Sequence, residues 1–253
     1  MLRTRIIPAL LLRNQSLVKT VRFGKFSYVG DPCNTVRIFN ELEVDELLFL
    51  DITASLEKRP PNFQLLNDIA SECFMPMGYG GGIKSAEDAK AVFGIGFEKI
   101  VVNTYGIENP NFIDQLASEY GSQAIMASID VKKNIWGQYQ VRSHSGKQTT
   151  TQKPSHWAKE LEALGAGEIL LTSIDQEGSW QGFDLDLVKS VTEAVKIPVI
   201  AHGGAGTVRH IVDVVQKAGA SAVALGSMVV FQKKDMGILI NFPQKEHLEK
   251  ILT

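Results

Sequence analysis

Eight short apolar runs punctuate this chain, and each is followed by a turn and a longer stretch of helical character. The runs cover residues 5–12, 46–50, 74–78, 99–103, 124–130, 168–172, 197–201 and 222–226. They are rich in β-branched residues and leucine and lack clean alternation, the pattern of parallel strands buried on both faces. The stretches between them, such as residues 85–93, 110–120 and 155–164, are long enough for crossover helices. Ser85, with Asp88 three positions on, reads as an N-cap with an acidic first turn. Eight strand–helix units in 253 residues fit a (β/α)8 TIM barrel, here one domain spanning residues 1–253. An open doubly wound sheet is the competing architecture, but its GxGxxG fingerprint after the first strand is absent.

The chain also repeats itself. Asp45-Glu46-Leu47-Leu48-Phe49-Leu50 resembles Gly167-Glu168-Ile169-Leu170-Leu171-Thr172. Met77-Gly78-Tyr79-Gly80-Gly81-Gly82-Ile83 resembles Val199-Ile200-Ala201-His202-Gly203-Gly204-Ala205. Both pairs are 122 positions apart, which favours a half-barrel duplication. A duplicated barrel is expected to carry two similar sites on opposite sides of its mouth.

Those sites have candidate residues. Gly80-Gly81-Gly82-Ile83 and Gly203-Gly204-Ala205-Gly206 each follow a strand. Glycine permits positive φ and close backbone approach, so amides there can converge on an anion. One such cluster would be read as a plain turn. Two at related strand ends, with Asn103-Thr104 and Gly226-Ser227 closing the next strands, favour two phosphate sites. Asp51, Asp130, Asp175 and Glu177 cluster at strand ends on the same face, where barrels of this type carry their chemistry. Asp51 reads equally well as a turn-capping residue. His202, beside the second glycine cluster, reads more naturally as a packing or hydrogen-bonding histidine than as an acid. At the opposite pole, Arg5, Glu46, Lys99 and Glu168 each open an apolar run. Two cations and two anions converging there predict an ion-pair ring able to gate a small polar molecule. The plainer reading is four exposed charges of little energetic weight.

Bulk properties exclude several classes. A net charge of −2 offers no basic field for nucleic acid. Cys33 and Cys73 are too few for a disulfide framework or a zinc site, so no metal or cofactor is expected and a reduced, cytoplasmic setting fits. The start, Met1 to Arg5 followed by an apolar run to Leu12, mimics a short signal peptide, but no small-residue cleavage site follows and it reads as a first strand. No apolar run approaches the roughly 20 residues of a membrane helix.

Taken together, Phe49-Leu50-Asp51-Ile52-Thr53-Ala54-Ser55, Gly80-Gly81-Gly82-Ile83, Val102-Asn103-Thr104, the segment from Gly165 to Asp175 and Gly203-Gly204-Ala205-Gly206 resemble the cyclase subunit of imidazole glycerol phosphate synthase over nearly the whole chain. The resemblance implies a (β/α)8 barrel that binds a class I glutaminase subunit at its N-terminal face and passes ammonia along its axis. Ammonia there meets a bis-phosphorylated histidine-pathway intermediate at the C-terminal face. Position by position, the gate maps onto Arg5, Glu46, Lys99 and Glu168. Phosphate binding maps onto Gly82, Asn103 and Thr104 on one side and Gly178, Gly204, Gly226 and Ser227 on the other. One catalytic aspartate maps onto Asp130; the other is Leu11. The family's Asp-Arg-Asp-Gly turn reads Asp175-Gln176-Glu177-Gly178, its serine before the second glycine cluster is His202, and Lys19 is retained.

Leucine neither donates nor accepts a proton, whereas acid–base chemistry of this kind uses two groups in opposed roles. The pattern resembles the divergent cyclase-like proteins of acetamidino-sugar synthesis in surface polysaccharides, whose further partner is a sugar amidotransferase. Three readings follow: an ammonia-conducting barrel, an authentic cyclase that tolerates Leu11, and a non-catalytic binder of a phosphorylated metabolite.

Overall fold

The computed structural model describes residues 4–243. Eight parallel strands form its centre: β1 (Arg5–Arg13), β2 (Leu47–Asp51), β3 (Met77–Gly80), β4 (Lys99–Val102), β5 (Ile125–Lys133), β6 (Glu168–Ser173), β7 (Val199–His202) and β8 (Ala222–Leu225). Each pairs in parallel with its neighbours in sequence. β8 pairs with β1 and β5 with β6, so the sheet closes as the expected (β/α)8 TIM barrel. Helices between the strands, among them Pro32–Glu41, Ala86–Ile95, Pro154–Ala163 and Val208–Ala218, bury one apolar face each. Ser85 caps its helix through a full capping box with Asp88, and Thr207 caps the helix after β7.

Two hydrophobic cores result. The larger lies between strands and helices. The smaller fills the barrel: Ile7, Ala9, Leu48, Val101, Met126, Leu170, Ile200, Ala222 and Ala224, with Leu50 against it.

Several strand limits differ from expectation for identifiable reasons. The third strand begins at Met77 rather than at residue 74, because Phe74 is 87% exposed and Pro76 has no N–H for a central ladder. Asp130 does not end its strand. β5 runs on to Lys133 because it turns into an antiparallel hairpin with Tyr139–Ser143, where Asp130 faces Arg142. β1 likewise continues to Arg13 and pairs with Ser16–Thr20, which in turn pairs with Phe26–Gly30. The apolar part of the signal-like N-terminus, Ile6 to Leu12, is barrel strand; Met1, Leu2 and Arg3 lie outside the described residues. No helix among the described residues is long and apolar enough to cross a membrane.

The internal repeat has a structural counterpart. Gly81 and Gly203 both have positive φ, 130° and 95°. A Cβ on either would stand 2.7 Å from a carbonyl oxygen, of Asp51 and Ser173 respectively. Those carbonyls are themselves 122 positions apart. The same close approach of a glycine turn to the preceding strand occurs in both halves.

Gly204 is tighter still: φ is 106° and a Cβ would overlap the Gly182 carbonyl, whereas a Cβ on Gly94 meets nothing within 4 Å. Gly204→Ala is expected to lower unfolding free energy by about 1–3 kcal/mol or more. Gly94→Ala is expected to raise it by roughly 0.5–1 kcal/mol through helix propensity. Urea denaturation of both variants checks the contrast.

Candidate functional site

The strand-start pole carries a closed ring of four charges. Arg5 donates to Glu46 Oε2 at 2.7 Å and to Glu168 Oε1. Lys99 Nζ donates to Glu46 Oε1 and to Glu168 Oε2, both at 3.0 Å. Each carboxylate therefore bridges both cations. The topology dictates this: Arg5, Lys99 and Glu168 open β1, β4 and β6, and Glu46 immediately precedes β2. Burial pulls the Arg5 guanidinium down, but Glu168 and Glu46 outweigh it and hold the group above its ordinary range. Above the ring the barrel interior is filled by apolar side chains, with the buried Ser128 in register with Leu170 on the way to the mouth.

At the mouth, Asp130, Thr172 and His202 lie side by side on β5, β6 and β7, paired in register. Asn103 Nδ2 donates to Asp130 Oδ2 at 2.8 Å. Burial raises the Asp130 carboxyl to about 7, against the opposing hydrogen bonds of Asn103 and Thr172; the charge of Glu177 adds to the rise. Thr172 Oγ1 lies 3.1 Å from His202 Nδ1. Burial, then the nearby Lys19 charge, lowers the His202 imidazole to about 3, so it is neutral. Lys19 Nζ donates to the Ala9 carbonyl at 2.7 Å; burial lowers its ammonium to about 8, with Glu177 opposing. Glu177 accepts from Thr20 Oγ1 at 2.9 Å and from the Phe23 N–H at 3.1 Å, while burial pushes its carboxyl up. Leu11, 5% exposed, lines the same mouth and offers no polar atom.

The four carboxylates expected together do not all meet. Asp130, Glu177 and Asp51 line the mouth cavity. Asp51 is the turn-capping residue: its Oδ1 accepts from the N–H groups of Thr53 and Ala54, both at 3.1 Å, and Arg59 ion-pairs with it at 2.8 Å. Asp175 lies off the cavity lining, its carboxylate accepting the Lys133 N–H at 2.8 Å and so clasping the β5 hairpin. Thr172 was not singled out in the sequence, although its place at the end of an apolar run beside Asp130 and His202 marks it. The turn at His144 and Ser145 carries no such signal. It crosses the mouth because Ser145 Oγ donates to the Ile52 carbonyl at 2.7 Å and the His144 N–H donates to Thr104 Oγ1 at 3.0 Å.

The two glycine loops are not alike, contrary to the symmetry the repeat leads one to expect. A cavity of about 750 Å³ opens over Gly82, Asn103 and Thr104 and reaches Asp130, within the range of ordinary ligand sites. At Gly178, Gly204, Gly226 and Ser227 the cavity is about 10 Å³.

The chain has counterparts among known proteins. A family model described as "Histidine biosynthesis protein" matches residues 5–235. A Pseudomonas aeruginosa protein, provisionally named imidazole glycerol phosphate synthase subunit hisF2, is 46% identical over 249 residues, covering 98% of this chain and 99% of its own. A Vibrio vulnificus protein, provisionally named subunit hisF3 of the same synthase, is 44% identical over 253 residues, 100% of this chain and 97% of its own. The imidazole glycerol phosphate synthase subunit HisF of Chlorobium luteolum is 42% identical over 233 residues, 92% of each chain.

The opposed burial shifts at the mouth predict opposed pH dependences. Folded Asp130 keeps its proton up to about pH 7, whereas an unfolded aspartate loses it near 3.8. Between these values the folded state binds more protons, and this residue makes stability fall as pH rises. Folded His202 stays neutral down to about pH 3, whereas the unfolded imidazole charges below 6.5. In that window the unfolded state binds more protons, and stability rises with pH. The two contributions offset each other between about pH 4 and 6.5. Asp130→Asn should therefore leave a rise of stability with pH over this range, and His202→Gln a fall, each by on the order of 1 kcal/mol per pH unit relative to the native protein. Urea unfolding at several pH values measures both slopes; unchanged slopes contradict the assignment.

Proposed function

The chain belongs to the histidine biosynthesis protein family, and from that membership we propose that it is the barrel subunit of a glutamine-dependent complex, conducting ammonia from a glutaminase to an acceptor at the mouth. The observation that carries this reading is the closed ring of Arg5, Glu46, Lys99 and Glu168 beneath an apolar interior, kept in a chain whose mouth has Leu11 in place of a second acid. Partly buried ion pairs seldom repay their desolvation, so a four-charge ring is a poor device for stability alone. It is a good device for admission. A class I glutaminase docked on this face would deliver ammonia onto the ring. Lys99 and Arg5 are each held by both carboxylates, but Lys99, a single ammonium on a flexible stem, is the member that moves more readily than the planar Arg5 fork. Beyond it the interior is mostly apolar, with Ser128 a buried polar side chain on the path, and such a path favours the neutral molecule over ammonium.

Ammonia emerges beside Asp130, Thr172 and Asn103. A carboxyl near neutrality there can give a proton to a reacting group or take one from the nitrogen as emerging ammonia adds to its acceptor. It has no second acid across the mouth, and the nearest other carboxylate, Glu177, is engaged by Thr20 and Phe23. The acceptor we favour is accordingly one handled by another enzyme, a sugar amidotransferase that forms acetamidino groups for surface polysaccharide. The phosphate-binding role of Gly82, Asn103 and Thr104 belongs to this proposal, as does the assignment of Asp130 to proton transfer. The second reading is an authentic cyclase of imidazole glycerol phosphate synthase. Asp130 poised near pH 7 over a wide cavity and the names of the relatives favour it; Leu11 counts against it.

Association with the glutaminase encoded nearby, followed by amide-¹⁵N-glutamine tracing through the reconstituted complex, tests conduction. We expect a stable complex, and a Lys99→Ala variant that changes how much label reaches the acceptor relative to free ammonia. No association, or label transfer indifferent to substitution at every ring position, contradicts it.

A further inference from the structure

The two halves of the mouth differ at one repeat position in a way that bears on the ligand. His202 corresponds, 122 positions on, to Gly80. In the first half this position carries no side chain, and the adjacent glycine loop opens into the mouth cavity of about 750 Å³ that spans Leu11, Asp51, Asp130 and His202. In the second half an imidazole occupies it, and the cavity is about 10 Å³, room for roughly one water molecule and too little for a phosphate.

His202 and Glu177 line both cavities and so form the wall between them. Neither is free to swing aside. The imidazole is 6% exposed and tied to Thr172. The carboxylate is 5% exposed and takes hydrogen bonds from Thr20 Oγ1 and the Phe23 N–H. The cation at this loop is Lys19, whose charge faces Glu177. Lys19 Nζ donates to the Ala9 carbonyl and packs so closely on Gly226 that a Cβ there would stand 2.7 Å from it. A phosphate entering the second loop would have to pass a neutral imidazole and share the Lys19 ammonium with the Glu177 carboxylate.

We infer that His202 and Glu177 close the second glycine loop, so that the ligand of this mouth carries a single phosphate, held at Gly82, Asn103 and Thr104. The inference rests on the reading of the first loop as a phosphate site and refines it. The body of such a ligand lies over Asp130, with its unphosphorylated end against His202.

Inorganic phosphate is the probe. Titration calorimetry should give one phosphate per chain for the native protein, and crystals soaked in phosphate should show it at Gly82, Asn103 and Thr104 alone. His202→Ser, which shortens the wall, should bind a second phosphate at Gly204, Gly226 and Ser227. His202→Gln, which keeps the space filled, should bind one. Phosphate at both loops of the native protein overturns the inference whether or not either variant folds. So does a folded His202→Ser variant that still binds only one. Phosphate at neither loop overturns the phosphate reading of the mouth altogether, while ammonia conduction stands or falls separately on nitrogen tracing.

Discussion

The pairing of β5 with β6 turns an open parallel sheet into a barrel, and its register sets both poles of the molecule. It places Glu168 opposite Met126 at the base and Thr172 opposite Asp130 at the mouth. Without that closure Glu168 would have no Arg5 or Lys99 to bridge, and Asp130 would face solvent. Closure also removes the sheet edges and creates an interior that side chains from alternate strand positions fill. Charge is thereby confined to two layers, the ring below and the buried cluster above, separated by aliphatic side chains.

The two layers handle their charge differently. At the base each of the four charged groups has two partners of opposite sign. At the mouth burial works against ionisation: Asp130 is shifted up to about 7, His202 down to about 3 and Lys19 down to about 8. The mouth is thus a region of hydrogen-bonded groups whose charges are reduced or internally matched. Leu11 extends that trend by contributing apolar surface to the same mouth. An ammonia conduit needs the base and the apolar interior. Acid–base chemistry needs, in addition, two groups in opposed protonation states at the mouth, and on our proposal Asp130 is one of them, with Leu11 in the other's place.

Much of this was legible in the residues because it depends on local pattern. Apolar runs separated by helical stretches require a parallel sheet, and the sign alternation of Arg5, Glu46, Lys99 and Glu168 at run starts foretold the ring. The internal repeat was equally visible, and the matching approach of Gly81 and Gly203 to their preceding strands bears it out. What could not be read depends on contacts between distant segments. Asp175 resembles the other strand-end carboxylates until the β5 hairpin extends to Lys133 and claims it. The turn at His144 and Ser145 has no motif, only a reach across the mouth to Thr104 and Ile52. The inequality of the two glycine loops was hidden for a related reason. Backbone repeats were conspicuous, but whether a loop is open depends on how the Lys19, Glu177 and His202 side chains fill the space beside it.

The central claim is that this barrel has kept the conduit and lost the cyclisation chemistry. The most direct measurement is turnover of the bis-phosphorylated histidine-pathway intermediate by the purified protein with excess ammonium salt, which bypasses any glutaminase. With one positioned acid or base missing, the rate should fall below that of an ordinary cyclase by roughly 10²–10⁴-fold. Turnover at an ordinary cyclase rate with Leu11 in place would contradict the account, since the mouth would then perform cyclisation without the group it is argued to have lost.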